Sequence, residues 1–214
     1  MKAYWVKTSL LIKKIFSGYI WDIPNDQNKI YLTFDDGPTP EITDWVLQLL
    51  KKHGATATFF CIGKNIVNNP DIFKRILSDG HSICNHTHNH LNGWKTPTAP
   101  FIENFDLCAE SISQINSNSR SIKIFRPPYG KIKRNQAKAI KAKGYKIIMW
   151  DILSADFDQS ITQEKCLNNV LSNLKPGSII VFHDSVKASK NLKYVLPKTL
   201  EFIDQQHYKC EALN

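Results

Sequence analysis

Apolar residues follow two different spacings along the chain. From residue 29 onward, short apolar runs that suit buried strands alternate with segments in which apolar residues recur every three or four positions, as on one face of a helix. In 42–52, for example, Val46, Leu47 and Leu50 fall on one helical face. Regular alternation of strands and helices is typical of a parallel sheet, so we predict an α/β fold.

The ends of the predicted elements follow from the same spacing and from Gly and Pro residues. Strands are predicted over 29–34, 57–61, 81–85, 122–125, 145–152, 178–182 and 208–213. Helices are predicted over 42–52, 70–78, 101–115, 133–143, 162–174 and 192–206, with Pro197 in or near the first turn of the last one. About seven such units favour a barrel or a nearly closed sheet. We therefore assign residues 29–214 to one domain and residues 1–28 to an N-terminal arm.

The arm is basic and aromatic. Its apolar run at 10–12 is flanked by Lys7, Lys13 and Lys14 and is too short to span a membrane. It also lacks the long apolar stretch and the cleavage site of a secretory signal. We expect the arm to pack on the barrel, and a weak contact with a membrane surface is the alternative. The sequence leaves the compartment open between the cytoplasm and the cell envelope.

Charge and cysteine content exclude only a few classes of protein. The formal net charge of +9 favours anionic partners without selecting one. No arginine-rich block, RNP motif or zinc finger is present, so nucleic acid is not a predicted partner. The five cysteines form no CxxC pair, and an odd, scattered set argues against a disulfide framework.

Polar residues gather where predicted strands end. In parallel barrels the chemistry lies at the carboxyl ends of the strands, in the loops that follow them. Polar clusters of this kind occur at 35–36, 86–90, 126–130, 151–156 and 183–184. We therefore expect these five clusters to meet at one end of the barrel.

Two of these clusters together predict a metal site. The adjacent carboxylates of Asp35 and Asp36 repel each other unless a cation lies nearby. His86 and His90 are four residues apart, which predicts that both imidazoles lie on one side of a helical turn, with His88 pointing away. One carboxylate and two imidazoles with open positions suit a catalytic Zn²⁺, and Co²⁺ or Ni²⁺ also fit. Such a cation polarises a carbonyl and lowers the pKa of a bound water, whose proton Asp35 is placed to take.

Four motifs give the chain a resemblance to a known family. They are TFDDGP at 33–38, HTHNH at 86–90, RPPYG at 126–130 and VFH at 181–183. In this order and spacing they resemble the motifs of the NodB-homology polysaccharide deacetylases (carbohydrate esterase family 4), over most of the chain from about residue 29 onward. The resemblance implies a distorted (β/α) barrel. It also implies a metal-dependent hydrolase that removes acetyl groups from an N-acetylglucosamine-type polymer such as peptidoglycan or chitin.

The resemblance also implies a role for each motif residue. Asp36, His86 and His90 match the metal ligands, Asp35 matches the general base, and His183 matches the general acid that protonates the leaving amine.

Further positions match residues that orient the base and bind the substrate. Arg126 matches the arginine that orients the base, and Tyr129 the residue whose backbone N–H holds the oxyanion. Val181 matches the residue that lines the pocket for the acetyl methyl group. Pro128 and Trp150 are expected to contact the sugar beside Tyr129.

The chain departs from the family pattern after residue 150. Many members have an Asp-x-x-Asp-Trp motif there. In this chain Phe157 stands in place of the tryptophan, so the expected sugar-binding wall is smaller, and Leu153 stands where we expect the carboxylate that orients the catalytic histidine. Asp151 faces the same side as Leu153 if both lie in one strand. We therefore predict that Asp151 is the partner of His183.

The residues allow three functions other than polysaccharide deacetylation. A non-haem iron oxygenase also uses two histidines and one carboxylate, although on a different scaffold. A sugar-binding module that has lost catalysis, and an amidase of the same fold acting on a small non-sugar amide, are the other two. The sequence does not identify the polymer, and it favours a monomer only weakly.

Overall fold

A curved sheet of parallel strands forms the centre of the molecule. The computed structural model describes residues 4–115 and 122–214. The strands are β1 (Lys29–Asp35), β2 (Thr58–Cys61), β3 (Ser82–Asn85), β4 (Ile124–Phe125), β5 (Lys146–Ile147), β6 (Ile152–Leu153), β7 (Ile179–His183) and β8 (Lys209–Cys210). Their order is β5-β4-β3-β2-β1-β7-β6, and β8 pairs with the beginning of β1. All these pairs are parallel, which confirms the predicted α/β fold of the distorted barrel type.

Helices connect the strands and cover the outer face of the sheet. They are α1 (Leu10–Ile15), α2 (Ile42–Lys52), α3 (Gly63–Asn68), α4 (Pro70–Ser78), α5 (Thr98–Ile115), α6 (Arg134–Ala142), α7 (Gln163–Leu171) and α8 (Ser189–Gln205). The bounds of α2 and α4 are those predicted from the apolar spacing. Within the described parts of the chain, none of these helices has both the length and the apolar character needed to cross a bilayer.

Side chains of β1 alternate between the two faces of the sheet. Leu32 and Phe34 are fully buried in the large apolar cluster that the sheet shares with α2 and α8. Tyr31 belongs to a separate cluster on the opposite face. Asp35 lies on the same face as Tyr31, because residues two or four apart in a strand point the same way. The last residue of β1 therefore turns its carboxylate to the inner face of the barrel.

The arm closes the gap between the two ends of the sheet. On one side, Ile20 donates its N–H to the carbonyl of Ile147 at 3.0 Å, next to β5. On the other side, the N–H of Leu153 in β6 donates to Val6 at 2.8 Å, and Ile23 donates to Gly177 at 2.9 Å. The described part of the arm therefore packs on the barrel and supplies hydrogen bonds to both sheet ends.

Three features differ from the sequence-based expectation. The predicted strand over 145–152 is two strands, β5 and β6, which pair with different neighbours. The helices α1 and α3 have six residues each, too few for a clear apolar period. Pro197 lies inside α8 rather than in its first turn, because α8 begins at Ser189, earlier than expected.

Candidate active site

The DDGP segment that follows β1 is held in a tight turn. Asp36 has a φ of 84°, in the left-handed region that residues other than glycine rarely adopt. The Gly37 N–H donates to Asp184 Oδ1 at 3.0 Å, and a Cβ at Gly37 would lie 2.1 Å from the other oxygen of that carboxylate. Only glycine therefore fits between the turn and the buried Asp184.

His86 and His90 converge through an irregular loop rather than a helical turn. The residues 86–90 contain no helix, and Thr87 and His90 have φ values of 63° and 54°. The prediction that a helical turn aligns the two imidazoles is therefore wrong. Hydrogen bonds hold the loop instead, since Asn104 Oδ1 accepts the N–H groups of His88 and Asn89 at 3.0 and 2.9 Å.

The ring nitrogens of both histidines face Asp36. His86 Nδ1 lies 2.8 Å from the carbonyl oxygen of Arg126, which can only accept, so Nδ1 carries the proton and Nε2 has a free lone pair. Asp36 Oδ1 lies 3.8 Å from His86 Nε2 and 3.2 Å from His90 Nε2. Burial lowers the pKa of His86 to about 4, which keeps its imidazole neutral. Neutral imidazoles are the form that binds metals.

Asp36, His86 and His90 form a group that fits a divalent cation. One ligand atom from each of the three lies within 4.8 Å of the other two. Asp36 Oδ1 is buried and, within the described structure, accepts no hydrogen bond of normal geometry. A buried carboxylate oxygen without a hydrogen bond is costly unless a cation compensates it. One carboxylate and two imidazole nitrogens are also a donor set that Zn²⁺ accepts.

Asp35 is bound by the buried guanidinium of Arg126. Arg126 Nη1 donates to Asp35 Oδ1 at 2.6 Å and to Thr33 Oγ1 at 2.8 Å, and Nη2 donates to the carbonyl of Met149 at 2.8 Å. The guanidinium also lies 4.0 Å from the centre of the Phe60 ring. Asp35 Oδ2 lies 4.0 Å from His86 Nε2. One oxygen of Asp35 is thus fixed, and the other faces the group of Asp36 and the two histidines.

His183 lies opposite Asp35 on the neighbouring strand and pairs with Asp156. The register of β1 and β7 aligns Asp35 with His183. His183 Nδ1 lies 2.7 Å from Asp156 Oδ1, and the His183 N–H donates to Asp156 Oδ2 at 2.8 Å. Burial lowers the pKa of His183, but Asp156, Asp36 and Asp35 outweigh burial and raise it to about 9. The ring of His183 is therefore protonated at neutral pH.

The prediction that Asp151 is the partner of His183 is wrong. Asp151 precedes β6 and lies at its amino end, where Lys7 Nζ, Lys13 Nζ and Ser178 Oγ surround its carboxylate at 2.5 to 2.7 Å. The error arose because a single strand over 145–152 puts Asp151 at the carboxyl end. Sequence analysis also missed Asp156, although it is the second aspartate of the family's Asp-x-x-Asp-Trp pattern.

These groups lie in an open cavity of about 730 Å³. Of the residues predicted to bind substrate, Tyr129, Trp150, Phe157 and Val181 line it. Pro128 is buried and begins the turn that exposes Tyr129, a residue that is 59 % accessible. The Phe157 ring packs edge-on against His183, with ring centres 5.0 Å apart. The cavity therefore combines a cluster of titratable groups with aromatic walls.

Comparison with known proteins assigns the family. The family model described as polysaccharide deacetylase matches residues 22–148. A peptidoglycan-N-acetylglucosamine deacetylase of Bacillus cereus is 34 % identical over 195 residues, which cover 90 % of each chain. A chitooligosaccharide deacetylase of Azorhizobium caulinodans is 33 % identical over 162 residues, 76 % of each chain. The chain belongs to the polysaccharide deacetylase family, a family of hydrolases, and the alternative of a non-haem iron oxygenase is wrong.

Solved structures agree with this assignment. The Bc1960 peptidoglycan N-acetylglucosamine deacetylase has a TM-score of 0.86 and 30 % sequence identity, with 96 % of this chain and 95 % of that chain covered. The peptidoglycan deacetylase PdaC from Bacillus subtilis has a TM-score of 0.78 and 26 % identity, with 89 % and 90 % covered. Both comparisons cover most of the chain, so the similarity extends over most of the fold.

Proposed function

We propose that the chain is a metal-dependent hydrolase that removes the acetyl group from N-acetylglucosamine units of a cell-wall glycan. The observation that carries the proposal is the position of Asp35. One of its oxygens is bound by Arg126, and the other faces Asp36, His86 and His90. The similar proteins include a peptidoglycan-N-acetylglucosamine deacetylase and a chitooligosaccharide deacetylase, which supports this substrate class.

Asp36, His86 and His90 would hold the cation, with Zn²⁺ as the first candidate and Co²⁺ or Ni²⁺ as alternatives. When bound, it polarises the acetyl carbonyl and lowers the pKa of a water molecule. The second ring nitrogens of both histidines already have partners, since His86 Nδ1 contacts the Arg126 carbonyl and His90 Nδ1 lies 3.1 Å from Tyr129 Oη. Such contacts fix the orientation of metal-binding imidazoles.

Asp35 and His183 divide the proton transfers between them. Asp35 accepts the proton of the attacking water, and Arg126 keeps the accepting carboxylate oriented. The water oxygen forms a bond to the acetyl carbon, and the Tyr129 backbone N–H donates to the developing oxyanion. The amide C–N bond then breaks while protonated His183, held by Asp156, gives its proton to the leaving nitrogen. The products are acetate and a free amine.

Acetate release tests this function. The purified protein would be assayed on N-acetylglucosamine oligomers and on glycan strands from peptidoglycan, before and after chelation and again after addition of Zn²⁺. We expect chelation to abolish release and Zn²⁺ to restore it. Asp35→Asn should lower kcat by at least about 100-fold, the usual contribution of a general base. Asp71→Asn, on the exposed face of α4, is the matched control and should keep wild-type kcat.

Two results would contradict the proposal. One is acetate release that persists in the fully metal-free protein. The other is Asp35→Asn protein that binds metal normally and hydrolyses at the wild-type rate. Metal binding is measured independently of activity by isothermal titration, in which Asp36→Asn should weaken Zn²⁺ affinity more than Asp35→Asn does.

A further inference from the structure

Two lysines reach the cavity that contains the candidate active site. Lys131 follows the RPPYG turn after β4, and Lys187 lies in the loop after β7. Both line the cavity, in which the only acidic lining residues among those described are Asp35 and Asp36. Within the described chain, neither Lys131 nor Lys187 has a carboxylate oxygen within 4.0 Å of its ammonium group. The two ammonium groups are therefore not neutralised by an ion pair.

Each ammonium group lies near an aromatic ring, that of Lys187 near Phe157 of the cavity wall and that of Lys131 near the exposed Trp94 next to the cavity. Lys131 Nζ lies 5.3 Å from the ring centre of Trp94, and Lys187 Nζ lies 5.7 Å from that of Phe157. Cation–π contacts orient an ammonium group without cancelling its charge and leave its N–H groups available to another acceptor. The backbone is held as well, since the Lys131 N–H donates to Pro128 at 3.0 Å. Both lysines therefore line the cavity, and each has an ammonium group that contacts a ring and keeps its charge.

The two lysines approach from different sides of the barrel. In the sheet order, β4 and β7 are separated by β3, β2 and β1. Lys131 therefore lies on the Tyr129 and His90 side, and Lys187 lies on the Phe157 and His183 side. A sugar chain that crosses the open cavity with one unit over Asp35 would place its flanking units near these two side chains.

We propose that Lys131 and Lys187 bind carboxylates on the sugars that flank the reacting unit. The site then prefers a glycan in which N-acetylglucosamine alternates with a carboxylate-bearing sugar over a neutral polymer of N-acetylglucosamine alone. This inference rests on the proposed deacetylase function and specifies its substrate. The alternating glycan of peptidoglycan has this chemistry, because each N-acetylmuramic acid has a lactyl carboxylate once its peptide is removed.

The expected preference is moderate because the lysines lie at the rim. Lys131 is partly buried and Lys187 is exposed, so water screens their attraction to a carboxylate. Contacts of this kind change binding by up to about fivefold each, and both together by about 20-fold. The preference should also fall with salt, because the screening length shortens from about 14 Å at 50 mM to below 6 Å at 300 mM salt.

The test compares three substrates of equal length. The first is a peptide-free peptidoglycan oligomer with free lactyl carboxylates, the second is the same oligomer with these groups converted to methylamides, and the third is a chitin oligomer. The measured quantity is the ratio of kcat/KM on the first substrate to kcat/KM on each neutral one. We expect a ratio of about 20 for the wild type at 50 mM salt, about 4 for Lys131→Met or Lys187→Met, and about 1 for the double variant. Lys138→Met, on the exposed surface of α6, is the control and should keep the wild-type ratio.

The outcomes separate this inference from the function on which it rests. A wild-type ratio near one, or a double variant with the wild-type ratio, would overturn the assignment of the two lysines even though all substrates release acetate. Absence of acetate release from every substrate would instead contradict the proposed function. Trp94→Leu gives a further check, because it leaves both charges in place but removes the ring that orients Lys131. Its ratio should fall between those of the wild type and Lys131→Met.

Discussion

Asp156→Asn tests the assignment of His183 as the acid. The carboxylate of Asp156 contacts both Nδ1 and the backbone N–H of His183, and it is fully buried. The asparagine is nearly isosteric and keeps an oxygen that can accept from Nδ1, but it removes the negative charge. Only Asp36 and Asp35 would then oppose the effect of burial, so the pKa of His183 should fall from about 9 toward the ordinary histidine value of about 6.5.

The expected loss of activity depends on pH in a defined direction. The acid form of His183 persists up to the pKa of the ring, so a lower pKa moves the alkaline limb of the pH profile toward lower pH. At pH 8, a ring with a pKa of about 9 is roughly 90 % protonated, whereas one with a pKa of about 6.5 is roughly 3 % protonated. The difference is about 30-fold at pH 8, and it shrinks to less than about twofold at pH 6.

The assay is kcat/KM for acetate release between pH 5.5 and 9.5 with the metal-loaded protein. Asp151→Asn is the matched control, because Asp151 is an equally buried aspartate that contacts Lys7 and Lys13 instead of His183. It should leave the alkaline limb unchanged. If the Asp156→Asn protein is folded and the alkaline limb of its pH profile matches that of the wild type, Asp156 is not the source of the raised pKa of His183.

Two further substitutions test the packing around the site. Arg126→Met leaves the buried carboxylate of Asp35 without its guanidinium partner. We expect the free energy of unfolding, measured by chemical denaturation, to fall by about 3–5 kcal/mol. The control Arg75→Met removes a surface ion pair and should lower it by less than about 1 kcal/mol. Gly37→Ala forces a methyl group against Asp184, which should lower the free energy of unfolding by about 1–3 kcal/mol in thermal unfolding and should also lower kcat. The control Gly18→Ala should have a smaller effect, because its methyl group meets only the flexible end of Lys141. Equal effects of either substitution and its control would contradict the packing argument.

Local patterns predicted most of the fold and the centre of the site. The predicted bounds of α2 and α4 agree with the observed ones. The polar clusters predicted at the strand ends contain Asp35, His86 and His183, which all line one cavity in the structure. These predictions succeeded because the barrel places the carboxyl ends of its strands together whatever the details of the connections.

The errors concern contacts that no local pattern encodes. The apolar run at 145–152 suits one long strand, but β5 and β6 pair with different neighbours and leave four residues between them. This split moves Asp151 to the amino end of the barrel. Ala155, with a φ of 61°, then turns the chain so that Asp156 reaches His183. The loop at 86–90 shows the same limit, because its shape depends on Asn104, a residue of α5.

The N-terminal arm contacts both the ends of the sheet and the wall of the candidate active site. Two strands of two residues each leave backbone groups at the ends of the sheet, and the arm supplies hydrogen bonds to both ends. The arm also contacts the cavity wall, since Tyr4 Oη donates to Asp158 at 3.0 Å and its ring packs edge-on against Phe157, 5.5 Å between centres. Phe157 in turn packs against His183. The N-terminal arm, whose sequence pattern is the least clear, therefore packs against the wall residue that contacts His183, the proposed acid.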